Sequence, residues 1–483
     1  MNSCLKFYLI AAFGLVLLTA GGCLVGPDYK PPQMTVPDEW GGLAQEPEVQ
    51  AARATTQCSD LVGWWREFKD PTLNGLVEQA LQANLDLQIA EARLRQARAQ
   101  RGVVAGDLWP ALAASGSYRR SGSGEEGGQD RFQTGFDAAW EIDLFGGRRR
   151  NLESADAGVL AELENIRHVQ VSLLAEVARN YLLLRGTQQQ ILIAQNNLAA
   201  QRQTLEITRK RFAVGFASAL DVANAEISVA ATESQIPTFE IARGQSIHAL
   251  SVLLARPPVE LRGQLSPPGP VPGVPAEVPA GLPSDLLRRR PDIRAAEARL
   301  HAATAQIGVA VADLFPVFSL TGAVNLASDA LHSLLSLSQG SWELGSLIVW
   351  PIFRGGAIRS NIRLQEALRD EAFITYQKTV LTALQEVEDA LVAFEREQRR
   401  YQDLIGAVDA SRRATALSLT LYTAGLSDFL NVLVAQRALY NSEEALVQSE
   451  QNIVLDLIAL YKALGGGWEA LPLAESRLES SRK

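Results

Sequence analysis

RFQTGFDAAWEIDLFGG (residues 131–147) sorts its side chains at every second position. Phe132, Thr134, Phe136, Ala138, Trp140, Ile142 and Leu144 form one alternate set, and Arg131, Gln133, Gly135, Asp137, Ala139, Glu141 and Asp143 form the other. A strand sends successive side chains to opposite faces, so the stretch predicts one apolar face and one acidic face. A helix would smear both sets around its surface. The rest of the chain is rich in Ala, Gln, Glu and Arg and reads as helix, so a mainly α protein carries a few strands.

The 483 residues suffice for two or more domains. Charged residues make up 20% and the net charge is −9, which argues against a nucleic-acid partner, and no basic helix interleaved with aromatics occurs. Mean hydropathy is near zero. Beyond the N-terminus no apolar run reaches about 18 residues, so no helical membrane span is expected.

The start, MNSCLKFYLIAAFGLVLLTAGGC, has the form of a targeting segment: Lys6 supplies positive charge, Phe7 to Leu18 are apolar, and small residues lead to Cys23. It resembles a bacterial lipoprotein signal (1–22), in which Cys23 is lipidated and becomes the first mature residue. Ala20 stands where such signals usually carry Leu. The alternative is ordinary export with an unmodified Cys. Cys4 leaves with the signal and Cys58 stands alone, so no intramolecular disulfide is expected.

The chain repeats itself. NLDLQIAEARLRQARAQRGVVAGDLWP ends at Pro110, and RPDIRAAEARLHAATAQIGVAVADLFP ends at Pro316. RFAVGFASALDVANAE (211–226) matches LYTAGLSDFLNVLVAQ (421–436). Between them Phe145-Gly146-Gly147 answers Arg354-Gly355-Gly356, and three landmarks in the same order point to an internal duplication. Nine prolines from Pro257 to Pro283 predict an extended connector. The expected division is therefore the signal at 1–22, an anchored N-terminal segment at 23–62, repeat 1 at 63–256, the connector at 257–283, repeat 2 at 284–464 and a tail at 465–483.

Each repeat opens with a helix that stops at D-L-[WF]-P, because the residue before proline disfavours helix. Two strands follow, at about 111–120 and 131–145, and again at about 316–327 and 341–354. Long helices come next. The stretch from Gly147 to Gly215 has no proline, and Pro237 is expected to bend the return helix. Val380, Leu384, Val387, Leu391 and Phe394 follow the seam spacing of packed helices, as do Val171, Leu174, Ala178 and Tyr181.

A sheet with one core face and one wet face would explain the alternation equally well. Strand length and the placing of Trp140, Trp342 and Trp350 toward strand ends favour transmembrane strands instead. Four strands cannot close a barrel, and lipid does not tolerate open edges, so such strands must be pooled among chains. Phe132, Phe136, Trp140, Phe318, Leu320 and Trp350 are then expected to face lipid. Asp137, Glu141, Asp143 and Glu343 are expected to line water.

LLRRRPDIRAAEARLHAATAQIGVAVADLFP (286–316), CLVGPDYKPP (23–32) and WWREFKDPTLNGLVEQAL closely resemble the TolC-like outer-membrane efflux proteins, in particular their NodT-type lipoprotein branch. The resemblance covers nearly the whole mature chain. It implies a homotrimer in which four strands per chain make a twelve-stranded barrel in outer-membrane lipid, above a long periplasmic α-helical barrel. It further implies a passive exit duct that docks on a periplasmic adaptor and an inner-membrane pump, with no cofactor and no metal. Carried over residue by residue, it marks Asp221, Tyr422, Asp428, Asn431 and Val434 as gate candidates at the periplasmic tip. Val434 departs most, because an acidic residue is frequent there. Asp221 and Asp428 fit a helix-capping role as well as a gating one. The competing reading is a periplasmic coiled-coil structural lipoprotein or adaptor, which predicts heptads without membrane strands.

GSGEEGG (122–128) formally matches a dinucleotide-binding motif, but it lies between strands and opens no helix. His168, His248, His301 and His332 have no metal-ligand spacing, and no nucleophile elbow or P-loop occurs. No enzymatic site is expected. Arg148, Arg149 and Arg150 read either as lipid-phosphate contacts or as solvated charges at a helix start, where the helix dipole does not favour them.

Overall fold

The computed structural model describes residues 23–41, 53–55, 61–122, 128–275, 277–336 and 340–470. The expected signal segment, Cys58 and the end of the tail lie outside these residues. In chain order the elements are β1 (Arg53–Thr55), α1 (Pro71–Ala83), α2 (Leu85–Gly106), β2 (Ala111–Ser121), β3 (Gln129–Ile142), α3 (Gly147–Ala213), α4 (Ala219–Leu253), α5 (Arg262–Leu265) and β4 (Glu277–Pro279). They continue with α6 (Pro283–Arg289), α7 (Pro291–Ala312), β5 (Val317–Ser328), β6 (Gly340–Val349), α8 (Ala357–Thr423) and α9 (Phe429–Ala463). Helices of 22, 67 and 35 residues occur as α2, α3 and α4, and in the same order as α7, α8 and α9. No helix of the described residues is long and apolar enough to cross a membrane.

The chain divides into two compact units. One contains Thr35–Glu91, Asn165–Ile293 and Thr379–Lys483. Here α1 starts because Asp70 accepts hydrogen bonds from the Thr72 and Leu73 amides, with Pro71 preset for the first helical turn. Asn84 ends that helix and caps the next, its side chain accepting from Leu87 N (3.0 Å) and donating to Leu253 O (2.9 Å). Trp64 stacks on Tyr461 at 5.1 Å, and Trp65 and Phe68 are buried beside them. Val171, Leu174, Ala178 and Tyr181 are buried, as are Val380, Val387, Leu391 and Phe394, so the seam spacing marks packed faces. The helix continues unbroken through Pro237. The proline-rich connector is not wholly extended: it holds the short α5, and β4 pairs in parallel with β1.

One charge cluster in this unit is buried. The Arg290 side chain is 8% exposed and reaches Asp292 (2.6 Å), Glu386 (2.7 Å) and the Ala463 carbonyl (2.9 Å). Burial pushes the Asp292 carboxyl up, but the hydrogen bonds and charge of Arg290 outweigh it and hold Asp292 below its usual range.

The other unit contains Met1–Met34, Ala92–Glu164 and Arg294–Lys378. Its centre is one antiparallel sheet in the order β2-β3-β5-β6. The third of the expected strands runs to Ser328, while the second and fourth stop early, at Ile142 and Val349. Asp143 and Trp350 therefore lie just beyond strand ends.

Replacing Arg290 by Met leaves a partly buried carboxylate without its partner, and the expected loss is about 3 kcal/mol, the low end for a broken buried pair because Glu386 is half exposed. Because the folded pKa of Asp292 is depressed, the stability it supplies is complete above the ordinary carboxylate pKa of about 3.9 and vanishes as pH falls below it. Thermal unfolding measured between about pH 3 and 7 checks both points, since Arg290→Met should remove this acid limb as well as lower the midpoint.

Candidate transport surfaces

Register decides which residues of the sheet share a face. Directly opposed residues of an antiparallel pair point the same way. Phe136 pairs with Ala114 and Val324, Trp140 with Leu320, Ile142 with Phe318, and Val324 in turn with Trp342. The apolar set of β3 is thus continued by apolar residues on both sides. On the opposite face Asp137 pairs with Ala113 and Ala323, and Ala323 with Glu343, so the two carboxylates stand on one rung two strands apart. Glu141 opposes Ser319, and Gly135 opposes Ser115 and Asn325. Asp137 accepts a hydrogen bond from the Ser115 hydroxyl at 3.1 Å.

No layer of the described residues covers either face. Every residue of β2 is exposed, and on β6 Trp342 and Leu344 are 79% and 77% exposed. A water-soluble sheet buries its apolar face on a second layer. This one keeps a continuous apolar face free, with β2 and β6 as edges.

The end of the sheet nearest α2 and α7 is built alike in both halves of the chain. The Trp140 indole donates to Leu108 O, and the Trp350 indole donates to Leu314 O, both at 3.0 Å. The two acceptors belong to the D-L-[WF]-P turns that end α2 and α7. Indoles with one bonded N–H and an apolar ring suit a membrane interface.

The three arginines after the Gly-Gly turn are not solvated charges. Arg148 pairs with Glu141 (2.6 Å), and Arg149 pairs with Asp143 (3.2 Å). Asp143 also accepts from the Arg148 and Arg149 amides, so it caps α3 and compensates for basic residues at the positive end of the helix. Its expected place on the water-lined strand face is thereby corrected. Arg150 is 3% exposed and binds Val25 O, Asp28 and Glu153. Burial opposes ionisation of Glu153, but hydrogen bonds from His301 and Arg150 hold it below the usual carboxylate range. Tyr29 stacks on His301 (4.3 Å) and donates to Glu297 (3.1 Å), while Gly26, at φ +85°, lies against the backbone of Gly308. The segment that follows the exposed Cys23 is thus clasped to α3 and α7.

In the other unit, the turns joining α3 to α4 and α8 to α9 have one geometry. Gly215 (φ +82°) and Gly425 (φ +76°) each end a helix in the left-handed conformation that favours glycine. Phe216 N bonds to Arg211 O (2.8 Å) and Leu426 N to Leu421 O (2.9 Å), as in a Schellman motif. Asp221 and Ser218 then form a reciprocal capping box on α4. Asp428 occupies the cap position of α9 without a capping side-chain bond, and Asn431 donates to Ser427 instead (2.9 Å). Tyr422 is 2% exposed: it packs on Phe429, Val432 and Leu205, and its hydroxyl faces Thr208 while Arg211 lies 4.7 Å above its ring. Val434 and Leu430, one turn apart on α9, are 59% and 61% exposed. The structure therefore separates the gate candidates. Asp221 is engaged in a cap, Tyr422 is core, and Asp428, Asn431 and Val434 remain at the surface.

Paired helices of repeated length and a sheet that is apolar on one side, polar on the other and uncovered on both define the subunit of an outer-membrane channel. The chain belongs to the outer membrane efflux protein family, whose model matches residues 76–256 and 282–466. It is 32% identical over 481 residues to nodulation protein T of Rhizobium leguminosarum bv. trifolii, covering 98% of this chain and 99% of that one. It is 34% identical over 467 residues to the antibiotic efflux pump outer membrane protein ArpC of Pseudomonas putida, covering 93% of each. The solved structure of the outer-membrane channel OprN is 38% identical, with a TM-score of 0.84 over 92% of this chain and all (100%) of that chain.

Sequence reading missed the Arg150 clasp and the burial of Tyr422. A signal existed only for the second: Leu419 and Tyr422 before the turn, and Phe429 and Val432 after it, are each an apolar i, i+3 pair. Tyr422→Ala should empty a fully buried site and cost about 3–5 kcal/mol locally. Amide hydrogen exchange in the first turns of α4 and α9 checks this, with faster exchange there and unchanged protection around Trp64 as the expected pattern.

Proposed function

We propose that three copies of this chain pool their sheets into one twelve-stranded outer-membrane barrel, continued by the helices as a periplasmic duct. The observation that carries this is the uncovered sheet: its apolar face has no protein layer on it, and its two edges leave backbone donors and acceptors unpaired. In lipid each unpaired backbone group costs several kcal/mol, so β2 of one copy must meet β6 of the next. Phe132, Phe136, Trp140, Phe318, Leu320 and Trp350 then face lipid, while Asp137, Glu141 and Glu343 face the lumen. Equal element lengths in the two halves support an internal duplication.

In this reading the duct is passive, with no catalytic role. It receives cargo from an inner-membrane pump through a periplasmic adaptor, which meets the α3–α4 and α8–α9 turns. Cys23 carries lipid, and the clasp of residues 25–29 on Arg150 sets where that lipid enters the membrane. Closure at the tip relies on Val434 and Leu430 as an apolar constriction, because Asp221 is committed to its cap. Tyr422 acts from within, by holding the two hairpins together.

A Cys23→Ser chain exported behind a non-lipoprotein signal should be recovered from outer membranes as a detergent-dependent trimer by native mass. A water-soluble monomer would falsify the barrel. A charged ring cannot gate by dewetting, so Val434→Asp should raise the resting conductance of the channel in planar bilayers. Conductance equal to that of the unsubstituted protein would remove Val434 from the constriction.

A further inference from the structure

The polar face of the sheet carries more than acids. Arg119 on β2 and Arg131 on β3 are direct register partners, so two positive side chains stand side by side on the face that holds Asp137 and Glu343. Like charges directly opposed across strands are destabilising, and a fold keeps them at a cost. Among the described residues neither arginine has a carboxylate partner. The next pair along the strands shows the contrast. Arg120 opposes Asp130 on the apolar face, with their charged groups 3.8 Å apart, and Asp130 also accepts from the Tyr118 hydroxyl at 2.9 Å. Among the described residues the sheet neutralises the arginine on the side given to lipid and leaves two without a carboxylate partner on the other.

Position along the strand separates the two signs. Arg131 lies six residues from Asp137, roughly 20 Å at strand rise. Between them the face is neutral, with Ser117 opposing Gln133 and Ser115 opposing Gly135. Glu141, lower still, is already paired with Arg148. Among the described residues one strand face thus holds a net-acidic rung at Asp137 and Glu343 and a net-basic rung at Arg119 and Arg131, at the end remote from the long helices.

We infer that Arg119 and Arg131 form an anion-attracting zone at the outer end of the lumen, which selects permeating solutes by charge: small organic anions bearing carboxylate or phosphate are drawn through it, and cations are retarded. The inference rests on the barrel reading above, since it takes the polar face to line water. Three copies would set six guanidinium groups around one opening, and water-lined walls flanked by a low-dielectric shell concentrate such a field.

The test reads the local potential without requiring an open tip. Ser117 is exposed and sits one rung from the arginines on the same face. In a chain carrying Cys23→Ser and Cys58→Ser, with residues 1–22 and their Cys4 replaced by a cysteine-free non-lipoprotein signal, a Ser117→Cys substitution supplies one thiol for anionic and cationic methanethiosulfonate reagents in isolated outer membranes. The anionic reagent should react about tenfold faster at low ionic strength, and the preference should fade toward 1 M salt, where the screening length is about 3 Å. Adding Arg119→Ser and Arg131→Ser should abolish or invert the preference. The paired substitutions remove a like-charge contact, so detergent-stable trimers are expected to persist. Equal rates in the parent, or a preference that survives loss of both arginines, overturns the anion zone while leaving the barrel intact. A Ser117→Cys chain that reacts with neither reagent overturns both, because the polar face then does not line water.

Discussion

The backbone hydrogen bond governs this molecule more than any side chain does. A peptide group in hydrocarbon has no water to turn to, so every strand edge must find another strand. One chain supplies four strands, and β2 and β6 remain as edges. The sheet's apolar residues are consistent with that constraint: register aligns Phe136, Val324 and Trp342 across three strands on one face, and none is covered by the chain's own helices. In the barrel proposed above, folding of the sheet and association of chains would be parts of one process.

Much of this was legible in the residues because the informative patterns are local. Alternation along 131–144 needs only a strand's period, and the register extends it to the neighbouring strands. Gly215 and Gly425 mark turns because only glycine takes positive φ there without strain. The long helices followed from the absence of breakers and from seams such as Val380 to Phe394. What was hidden depended on contacts between distant residues. Arg150 reads as one more arginine in a basic run until Asp28, 122 positions away, is brought to it. Asp143 belongs by parity to the acidic strand face, yet the strand stops one residue earlier and the carboxylate turns to the helix start. The connector's short helix and its parallel pairing with β1 were hidden for the same reason.

The hairpin ends show how matching positions in the two halves of the chain can hold different chemistry. Asp221 and Asn431 occupy matching positions in the stretches 211–226 and 421–436, as do Ser218 and Asp428. In the first copy a Ser and an Asp close a reciprocal cap; in the second an Asp and an Asn do not, and Asn431 turns to Ser427. Acidic character at the surface thus shifts from the third helical position to the cap itself. A resemblance at the level of residue type hides this, because it depends on which hydrogen bonds each carboxylate is already making.

The two hairpin turns have a thermodynamic consequence. Their backbones are bonded from within, by the paired bonds that end α3 and α8 and, in the first turn, by the capping box that opens α4. Phe216 and Leu426 are displayed, 74% and 76% exposed, on loops that are already folded. A surface that must first order itself loses part of its binding energy to entropy. Here the backbone of each turn is already hydrogen-bonded, so an incoming molecule would meet a smaller ordering cost at these two residues. Selectivity between molecules then rests on how well their shape matches a fixed relief.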